Sequence, residues 1–430
     1  MLKLRENDFT LDLCFSLAGE PLQSSVFVEK MFRRYYEEDF PDVTPSLIEK
    51  REFGFILPKQ GMSRHRKFQI GGDLQAFLRS CAPLDAYYSC AYYNDPEAEM
   101  DKKGWIGADL VFDIDADHIP TPCGKIHDEW ICSSCHFVGK GLTPENCPSC
   151  GGQSFEVKKW PCEQCLESAR VETAKLLDML VRDFGFSENE VSVFFSGHRG
   201  YHVHVENEVV RTLDAGARKE IVDYVCGLGF DASFHGMGKR EMSGMQILKE
   251  LKLNDFGWRG QIARAVHGFI QNVEREDYES LGLKKAVVEK ISENKDTILK
   301  TIEGINTNRV VRGVGPETWK KIFEFSAVSA SAKVDTVVTT DVHRLIRLKN
   351  TLHSKSGFKK VQLAVSQINE FDPFASAIAF KNGTATVFVS DAPKFRIGEE
   401  EFGPYKNKRI ELPTAAALLL VCKNRAEVVE

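Results

Sequence analysis

The chain has 430 residues, of which 43% are hydrophobic and 27% charged, and its formal net charge is −6. This composition supports two or three folded domains and excludes a largely disordered protein. The longest apolar run, residues 415–421, is too short to cross a bilayer, and the N-terminus lacks a signal-peptide core. We therefore expect a cytoplasmic protein with no membrane contact. The net acidity argues against broad non-specific nucleic-acid binding but permits a local basic cleft.

The first 120 residues have the pattern of an α/β region. An amphipathic helix is predicted around residues 26–38, and strands are predicted at 51–57 and 110–114. In the last of these strands, alternation places Asp113 and Asp115 together on one face. Two carboxylates held so close favour a hard cation such as Mg²⁺ or Mn²⁺ between them. The alternative is a strand end with two solvated aspartates.

Cysteines dominate the next segment, residues 121–165, which holds seven of the 12 in the chain. Such crowding without an export signal indicates metal binding and not disulfides. Two Cys-x-x-Cys pairs lie eleven residues apart and predict a four-cysteine zinc ribbon, with the ligands Cys132, Cys135, Cys147 and Cys150.

A helix over 166–184 and a β-hairpin with strands 191–195 and 201–205 are predicted next. The hairpin turn, 196–200, is glycine-rich. Its backbone N–H groups and the Ser196 hydroxyl can approach an anion closely, with Arg199 and His202 beside them, so phosphate is the expected ligand. The alternative is an ordinary surface hairpin with His202 and His204 on one strand face.

Residues 211–325 have helical spacing, whereas strands and turns return after residue 333. The segment 333–357 combines carboxylates with many cations and has three explanations: a nucleic-acid groove, a nucleoside triphosphate pocket, or a solvated basic face. A helix predicted over 341–349 would let Arg344 and Arg347 reach one polyphosphate, with Asp341 as its N-cap. Strands at 376–380 and 384–389 and a helix after Pro413 complete the chain.

Taken in order, several short motifs resemble those of the catalytic small subunit of archaeal and eukaryotic DNA primases. They are Arg51-Glu-Phe-Gly-Phe55, Val111-Phe-Asp-Ile-Asp115, Ser196-Gly-His-Arg-Gly-Tyr-His202, Asp335, His343-Arg-Leu-Ile-Arg347 and Thr351-Leu-His-Ser-Lys-Ser-Gly357. The resemblance implies an α+β fold, a mixed-sheet catalytic core with a zinc-binding and a helical insert. The expected segments are core 1–120, zinc-binding insert 121–165, core hairpin 166–210, helical insert 211–330 and core 331–430.

The resemblance also implies roles for individual residues. Asp113, Asp115 and Asp335 would bind two Mg²⁺ or Mn²⁺ ions. The nucleotide-binding set would be Ser196, Arg199, His202, Arg347 and His353, with Glu52 and Arg64 beside the active site. A second zinc knuckle would use Cys123, His127, Cys162 and Cys165, with the ribbon nested inside it; the alternative is one zinc only. His198 stands where eukaryotic relatives have a second arginine, and Arg347 replaces a lysine.

The function implied is primer synthesis on a single-stranded DNA template from nucleoside triphosphates, in a heterodimer with a primase large subunit. Two alternatives stay open. One is a repair polymerase of the same superfold, against which the zinc knuckle argues. The other is a non-catalytic zinc-ribbon module that binds nucleic acid or protein, against which the carboxylates and the triphosphate-type cations argue. Metal-dependent synthesis from nucleotides alone would separate these functions.

Overall fold

A computed structural model describes residues 22–38, 40–231, 251–272, 278, 281–305 and 311–429 of the chain. Two predicted regions lie at least partly outside the described residues. They are the N-terminus, where the sequence predicts no signal-peptide core, and parts of the predicted helical insert. Among the described helices, none is long and apolar enough to cross a membrane.

The chain divides into two compact units. The first unit contains Met1–Val171, Glu188–Arg218 and Asp335–Glu430, and the second contains Glu172–Ser187 and Lys219–Val334. The five segment boundaries expected from the sequence stay predictions, because a division into compact units does not define inserted subdomains.

Most of the longer described helices are amphipathic, whereas the last helix, Thr414–Cys422, is buried on almost every side. They are α1 (Leu22–Glu37), α2 (Gly71–Cys81), α3 (Glu163–Arg182), α4 (Glu208–Arg211), α5 (Ala215–Val225), α6 (Gly257–Asn272), α7 (Lys285–Glu293), α8 (Lys295–Ile302), α9 (Pro316–Ala330), α10 (Thr336–Thr340), α11 (Pro373–Ser376) and α12 (Thr414–Cys422). The predicted helices near 26–38 and 166–184 and after Pro413 are confirmed as α1, α3 and α12.

The described strands are short, and each pairs with its neighbours in small sheets. They are β1 (Phe53–Leu57), β2 (Gly61–Arg66), β3 (Asp85–Ser89), β4 (Ala91–Tyr93), β5 (Trp105–Ala108), β6 (Leu110–Asp115), β7 (Glu129–Cys132), β8 (Val138–Lys140), β9 (Phe155–Lys158), β10 (Val191–Phe195), β11 (Gly200–Val205), β12 (Leu345–Arg347), β13 (Val361–Leu363), β14 (Thr384–Ala392), β15 (Phe395–Ile397), β16 (Glu400–Phe402), β17 (Tyr405–Pro413) and β18 (Ala426–Val428).

Two four-stranded sheets organise the first unit, with the strand orders β13-β10-β11-β6 and β12-β3-β1-β2. The predicted hairpin is confirmed as β10 and β11, and β6 lies against β11. The fold is α+β, as predicted. Each strand pair of the described chain is antiparallel, so the expectation of a mixed sheet was wrong there. Short hairpins connect β1 to β2 and β10 to β11, whereas β6, β12 and β13 join their antiparallel neighbours from distant parts of the chain.

Two local predictions were wrong. Residues 345–347 form strand β12, not part of a helix over 341–349, because they pair with β3 and so satisfy their backbone in a sheet. Residues 376–380 do not form a strand. Instead the Asp372 carboxylate accepts a hydrogen bond of 3.0 Å from the Phe374 N–H and caps the one-turn helix α11 before them.

Each unit has a core of its own. In the first, Phe32 of α1, Phe53 and Phe55 of β1 and Leu78 of α2 are fully buried together. In the second, α6 packs against α9. Burial of this apolar surface is the main source of stability in both units.

Candidate functional site

Strand β6 places two carboxylates on the half-buried face of its sheet. Phe112 and Ile114 are fully buried, whereas the side chain of Asp113 is 27% exposed. Asp115 lies two residues further on and is also partly exposed. The strand alternation predicted from the sequence is therefore what the structure has.

A third carboxylate comes to this strand from more than 200 residues away in the sequence. The backbone N–H of Asp335 donates a 2.8 Å hydrogen bond to the carbonyl of Asp113. The side chain of Asp335 caps α10 by accepting from the Val337 N–H at 2.9 Å. The N-cap role predicted for Asp341 was wrong, because Asp341 follows α10 and no helix begins there.

The negative charge of the carboxylates around Asp113 is not offset by the histidine opposite it. Burial, together with the charges of Asp115 and Asp335, raises the pKa of Asp113 to about 7. His202, directly opposite Asp113 in the sheet, has its Nε2 3.6 Å from the Asp113 carboxylate, and burial lowers its pKa well below the usual value. An imidazole kept neutral does not offset the carboxylate charge, so a divalent cation fits this donor set.

The turn between β10 and β11 is held by its serine. The Ser196 hydroxyl accepts hydrogen bonds of 3.3 Å from the backbone N–H groups of His198 and Gly200. Gly200 has no room for a side chain, since a Cβ there would lie 2.2 Å from the carbonyl oxygen of Ile114. The absence of a side chain lets the turn lie directly against β6 next to Asp115.

The segment that carries His353 is attached to the same turn. The Ser356 hydroxyl donates a hydrogen bond to the carbonyl of Gly197, and the His353 and His198 rings are 5.1 Å apart between centroids. Burial and nearby cations keep the pKa of His353 well below its ordinary value. The structure thus brings together the turn and His353, two parts of the predicted nucleotide-binding set.

Arg199, a residue of this turn, has a buried side chain that is bound to two carboxylates. One terminal nitrogen donates to both carboxylate oxygens of Asp128, at 2.7 and 2.6 Å, and to the Trp160 carbonyl at 3.2 Å. The other donates to Asp117. Only its Nε lacks a hydrogen-bond partner within the described chain. The sequence offered no signal for these partners, because the contacts span 71 and 82 residues.

Arg347 is also paired. Its guanidinium donates to the carboxylate of Asp85, to the Leu352 carbonyl at 3.2 Å and to the Tyr87 hydroxyl at 3.3 Å. The same Asp85 accepts from the Ser354 hydroxyl at 2.7 Å. Arg347 therefore orients the segment that begins with His353.

Two buried lysines near these residues were not identified from the sequence. Lys360 is fully buried, donates to the Arg347 carbonyl at 2.8 Å and lies 4.4 Å from the centroid of the Phe194 ring. Lys423 is 7% exposed and contacts Nε2 of His198. Within the described residues neither forms an ion pair, and burial lowers the pKa of each lysine well below its ordinary value. Lys360 follows the predicted motif by three residues, and Lys423 lies 66 residues beyond it.

Glu52 and Arg64 pair with each other. The guanidinium Nε of Arg64 lies 3.0 Å from the carboxylate of Glu52, and Lys103 Nζ lies 3.3 Å from its other oxygen. Glu52 is fully buried, whereas the Arg64 side chain is 38% exposed. Lys103 also faces Tyr93, whose hydroxyl is 3.0 Å from Nδ1 of His343. Through Tyr93 this group adjoins the segment between Asp335 and Arg347.

Two clusters of cysteine and histidine side chains could each hold one metal ion, because the four ligand atoms within each lie within 4.8 Å of one another. They are the ribbon cluster, Cys132, Cys135, Cys147 and Cys150, and the outer cluster, Cys123, His127, Cys162 and Cys165. Both match the quartets predicted from the sequence. Four thiolate or imidazole ligands at this spacing suit tetrahedral Zn²⁺ and leave no open coordination position.

Comparisons with known proteins agree with this geometry. Residues 156–365 match the family model described as DNA primase small subunit. The chain is 32% identical to the DNA primase small subunit PriS of Methanothrix thermoacetophila, over 94% of this chain and 99% of that protein. It is 29% identical to PriS of Nitrosopumilus maritimus, over 94% and 98%, and 30% identical to PriS of Methanococcoides burtonii, over 94% and 99%.

The chain belongs to the DNA primase small subunit family. The family predicted from the ordered motifs is confirmed, and with it the class of enzyme, a DNA-directed nucleotidyltransferase. Membership of this family links the acidic strand, the glycine-rich turn and the two candidate metal clusters. No single one of their motifs was sufficient to identify the family.

Proposed function

We propose that this chain is the catalytic subunit of a DNA primase, which makes short primers on single-stranded DNA from nucleoside triphosphates. The observation that carries the proposal is the attachment of Asp335 to Asp113, by a 2.8 Å backbone hydrogen bond, beside Asp115. In this reading Asp113, Asp115 and Asp335 hold two Mg²⁺ or Mn²⁺ ions. Such ions activate the attacking hydroxyl and stabilise the charge on the reacting phosphate and on pyrophosphate.

The nucleotide lies against the turn and the His353 segment in this proposal. Ser196, His202 and His353 donate hydrogen bonds to the triphosphate. Arg199 and Arg347 contribute charge without direct contact, since both terminal nitrogens of Arg199 are bound to carboxylates. Those of Arg347 are bound to the Asp85 carboxylate and the Tyr87 hydroxyl. Lys360 and Lys423, whose pKa values burial lowers, gain an anionic partner when the phosphates bind and then contribute positive charge. Glu52 and Arg64 form the edge of the site.

The metal clusters and the partner complete the proposal. Zn²⁺ is the ion that we propose for both the ribbon cluster and the outer cluster, one ion in each, with a structural role. The protein partner that we propose is a primase large subunit, and the template is single-stranded DNA.

The decisive experiment offers the purified chain, alone and with the large subunit, an unprimed single-stranded template, nucleoside triphosphates and Mg²⁺ or Mn²⁺. We expect short products that start from nucleotides alone. Extension of a supplied primer without synthesis on the unprimed template would indicate a repair polymerase. Template binding without any incorporation would indicate a non-catalytic module.

A further inference from the structure

The outer metal cluster continues into the protein through a histidine. His127 directs Nε2 at the sulfur atoms of Cys123 and Cys165, at 3.4 and 3.6 Å, so Nε2 is its ligand atom. Its other ring nitrogen, Nδ1, lies 2.8 Å from a carboxylate oxygen of Asp128. A carboxylate in this position fixes the orientation of a metal-bound imidazole.

Asp128 also forms an ion pair with Arg199. Both carboxylate oxygens of Asp128 accept from one Arg199 nitrogen, and one of them also accepts from the Trp160 N–H at 2.9 Å. The side chains of Arg199 and Asp128 are 1% and 5% exposed. At such burial, removing either charge leaves the other with fewer compensating partners, which destabilises the arrangement.

Arg199 in turn holds the residues that follow the acidic strand. Its second terminal nitrogen donates to Asp117, whose carboxylate also pairs with Lys159. The backbone N–H of Asp117 donates a 2.9 Å hydrogen bond to the carboxylate of Asp115. The carbonyl of Arg199 accepts from the Ala116 N–H at 3.2 Å. A continuous series of hydrogen bonds therefore joins the outer cluster to Asp115.

We infer that Asp128, Arg199 and Asp117 are positioning residues through which the outer cluster fixes the orientation of the Asp115 carboxylate. The inference rests on the proposed role of Asp115 as a ligand of the catalytic metal. It predicts that breaking the series weakens binding of the catalytic metal even when the outer cluster keeps its own ion. A role in stability alone would leave the affinity for the catalytic metal unchanged.

The test uses the full chain with Asp128→Asn, which keeps the size of the side chain and an oxygen acceptor but removes its charge. The matched control is Glu129→Gln, because Glu129 is the next residue and pairs with Arg425 at 2.9 Å and Lys158 at 3.7 Å, away from Arg199. Zinc per chain is measured by elemental analysis, Mn²⁺ affinity by electron paramagnetic resonance of the free ion, and the KM for Mn²⁺ separately from kcat in primer synthesis.

With zinc retained, we expect Asp128→Asn to raise the Kd and the KM for Mn²⁺ by about tenfold, and Glu129→Gln to leave both unchanged. Mn²⁺ affinity equal to that of the unmodified chain would overturn the inference. Asp117→Asn, which contacts none of the four cluster ligands, provides a second break in the series with the same expectation if Asp128→Asn fails to fold.

An Asp115→Asn arm separates this inference from the proposed function. If Asp115→Asn binds Mn²⁺ as the unmodified chain does, the proposed metal site itself is wrong. If Asp115→Asn loses Mn²⁺ while Asp128→Asn and Asp117→Asn retain it, the metal site stands and the positioning role alone is wrong.

Discussion

Asp128 binds the guanidinium of Arg199 with both of its carboxylate oxygens, at 2.7 and 2.6 Å, although the two residues lie 71 positions apart in the chain. Because the pair is buried, it attaches the segment next to a metal cluster to the turn that we propose as the triphosphate site. Although burial opposes ionisation, the hydrogen bond with His127 and the Arg199 cation lower the pKa of Asp128 to about 2, so its carboxylate stays ionised at neutral pH.

Replacement of Asp113 tests the catalytic carboxylates. We expect Asp113→Asn to reduce nucleotide incorporation by at least about a thousandfold, because the loss of a metal ligand removes several kcal/mol of transition-state stabilisation. The melting temperature should not fall, since the change removes a repelling charge and little volume. Near-normal incorporation at saturating Mg²⁺ and Mn²⁺ would contradict the metal assignment.

The same carboxyl group predicts a pH dependence. Its pKa of about 7 in the folded chain exceeds the ordinary value of 3.8, so ionisation of Asp113 opposes folding as the pH rises between these values. Without added Mg²⁺ or Mn²⁺, the melting temperature of Asp113→Asn relative to the unmodified chain should increase from about pH 4 to about pH 8. Differential scanning fluorimetry checks this. A constant difference would show that Asp113 is not destabilised by its neighbours.

The buried lysines predict a specific effect on nucleotide binding. We expect Lys360→Met to raise the KM for nucleoside triphosphate about tenfold, since a charge-assisted contribution near a phosphate is worth ~1.4 kcal/mol or more. Template affinity, measured by fluorescence anisotropy, should not change. Lys359→Met is the matched control, because Lys359 is half-buried and adjacent in sequence. A loss of template affinity with an unchanged nucleotide KM would place Lys360 in a template groove.

Elemental analysis tests the metal clusters. We expect about two zinc ions per chain, because the eight candidate ligand atoms lie in two groups of four and a structural zinc site takes four ligands. The ratio should fall to about one when Cys147 and Cys150 are both replaced by serine. A ratio of one in the unmodified chain that persists after replacement of Cys162 and Cys165 would show that the outer cluster holds no ion.

The parts of the site that the sequence predicted correctly are those with a local pattern. Alternation located Asp113 and Asp115 on one face, and the Cys-x-x-Cys spacing identified the ribbon. The pairing of Arg347 with Asp85, which spans 262 residues, has no local signature. For the same reason the sequence predicts a helix over 341–349, although residues 345–347 pair with β3 and form a strand.

The family resemblance supplied what local pattern could not, namely the distant carboxylate Asp335 and the second group of candidate metal ligands. It did not supply Lys360 or Lys423, which lie outside the matched motifs. Burial made these lysines identifiable, because an unpaired cation inside a protein is costly unless an anion or a change of protonation relieves it. Burial of this kind depends on tertiary packing.

The ribbon has a further consequence for how this region can vary. Its first and last strands are antiparallel neighbours, with Glu129 opposite Lys158, so the chain leaves the outer cluster and returns to it at paired positions. The ribbon therefore begins and ends at one pair of neighbouring strand positions. A two-residue type I′ turn between these positions would preserve the geometry of this strand pair. A chain shortened in this way should still retain one zinc ion, and a zinc-free product would show that the outer cluster depends on the ribbon.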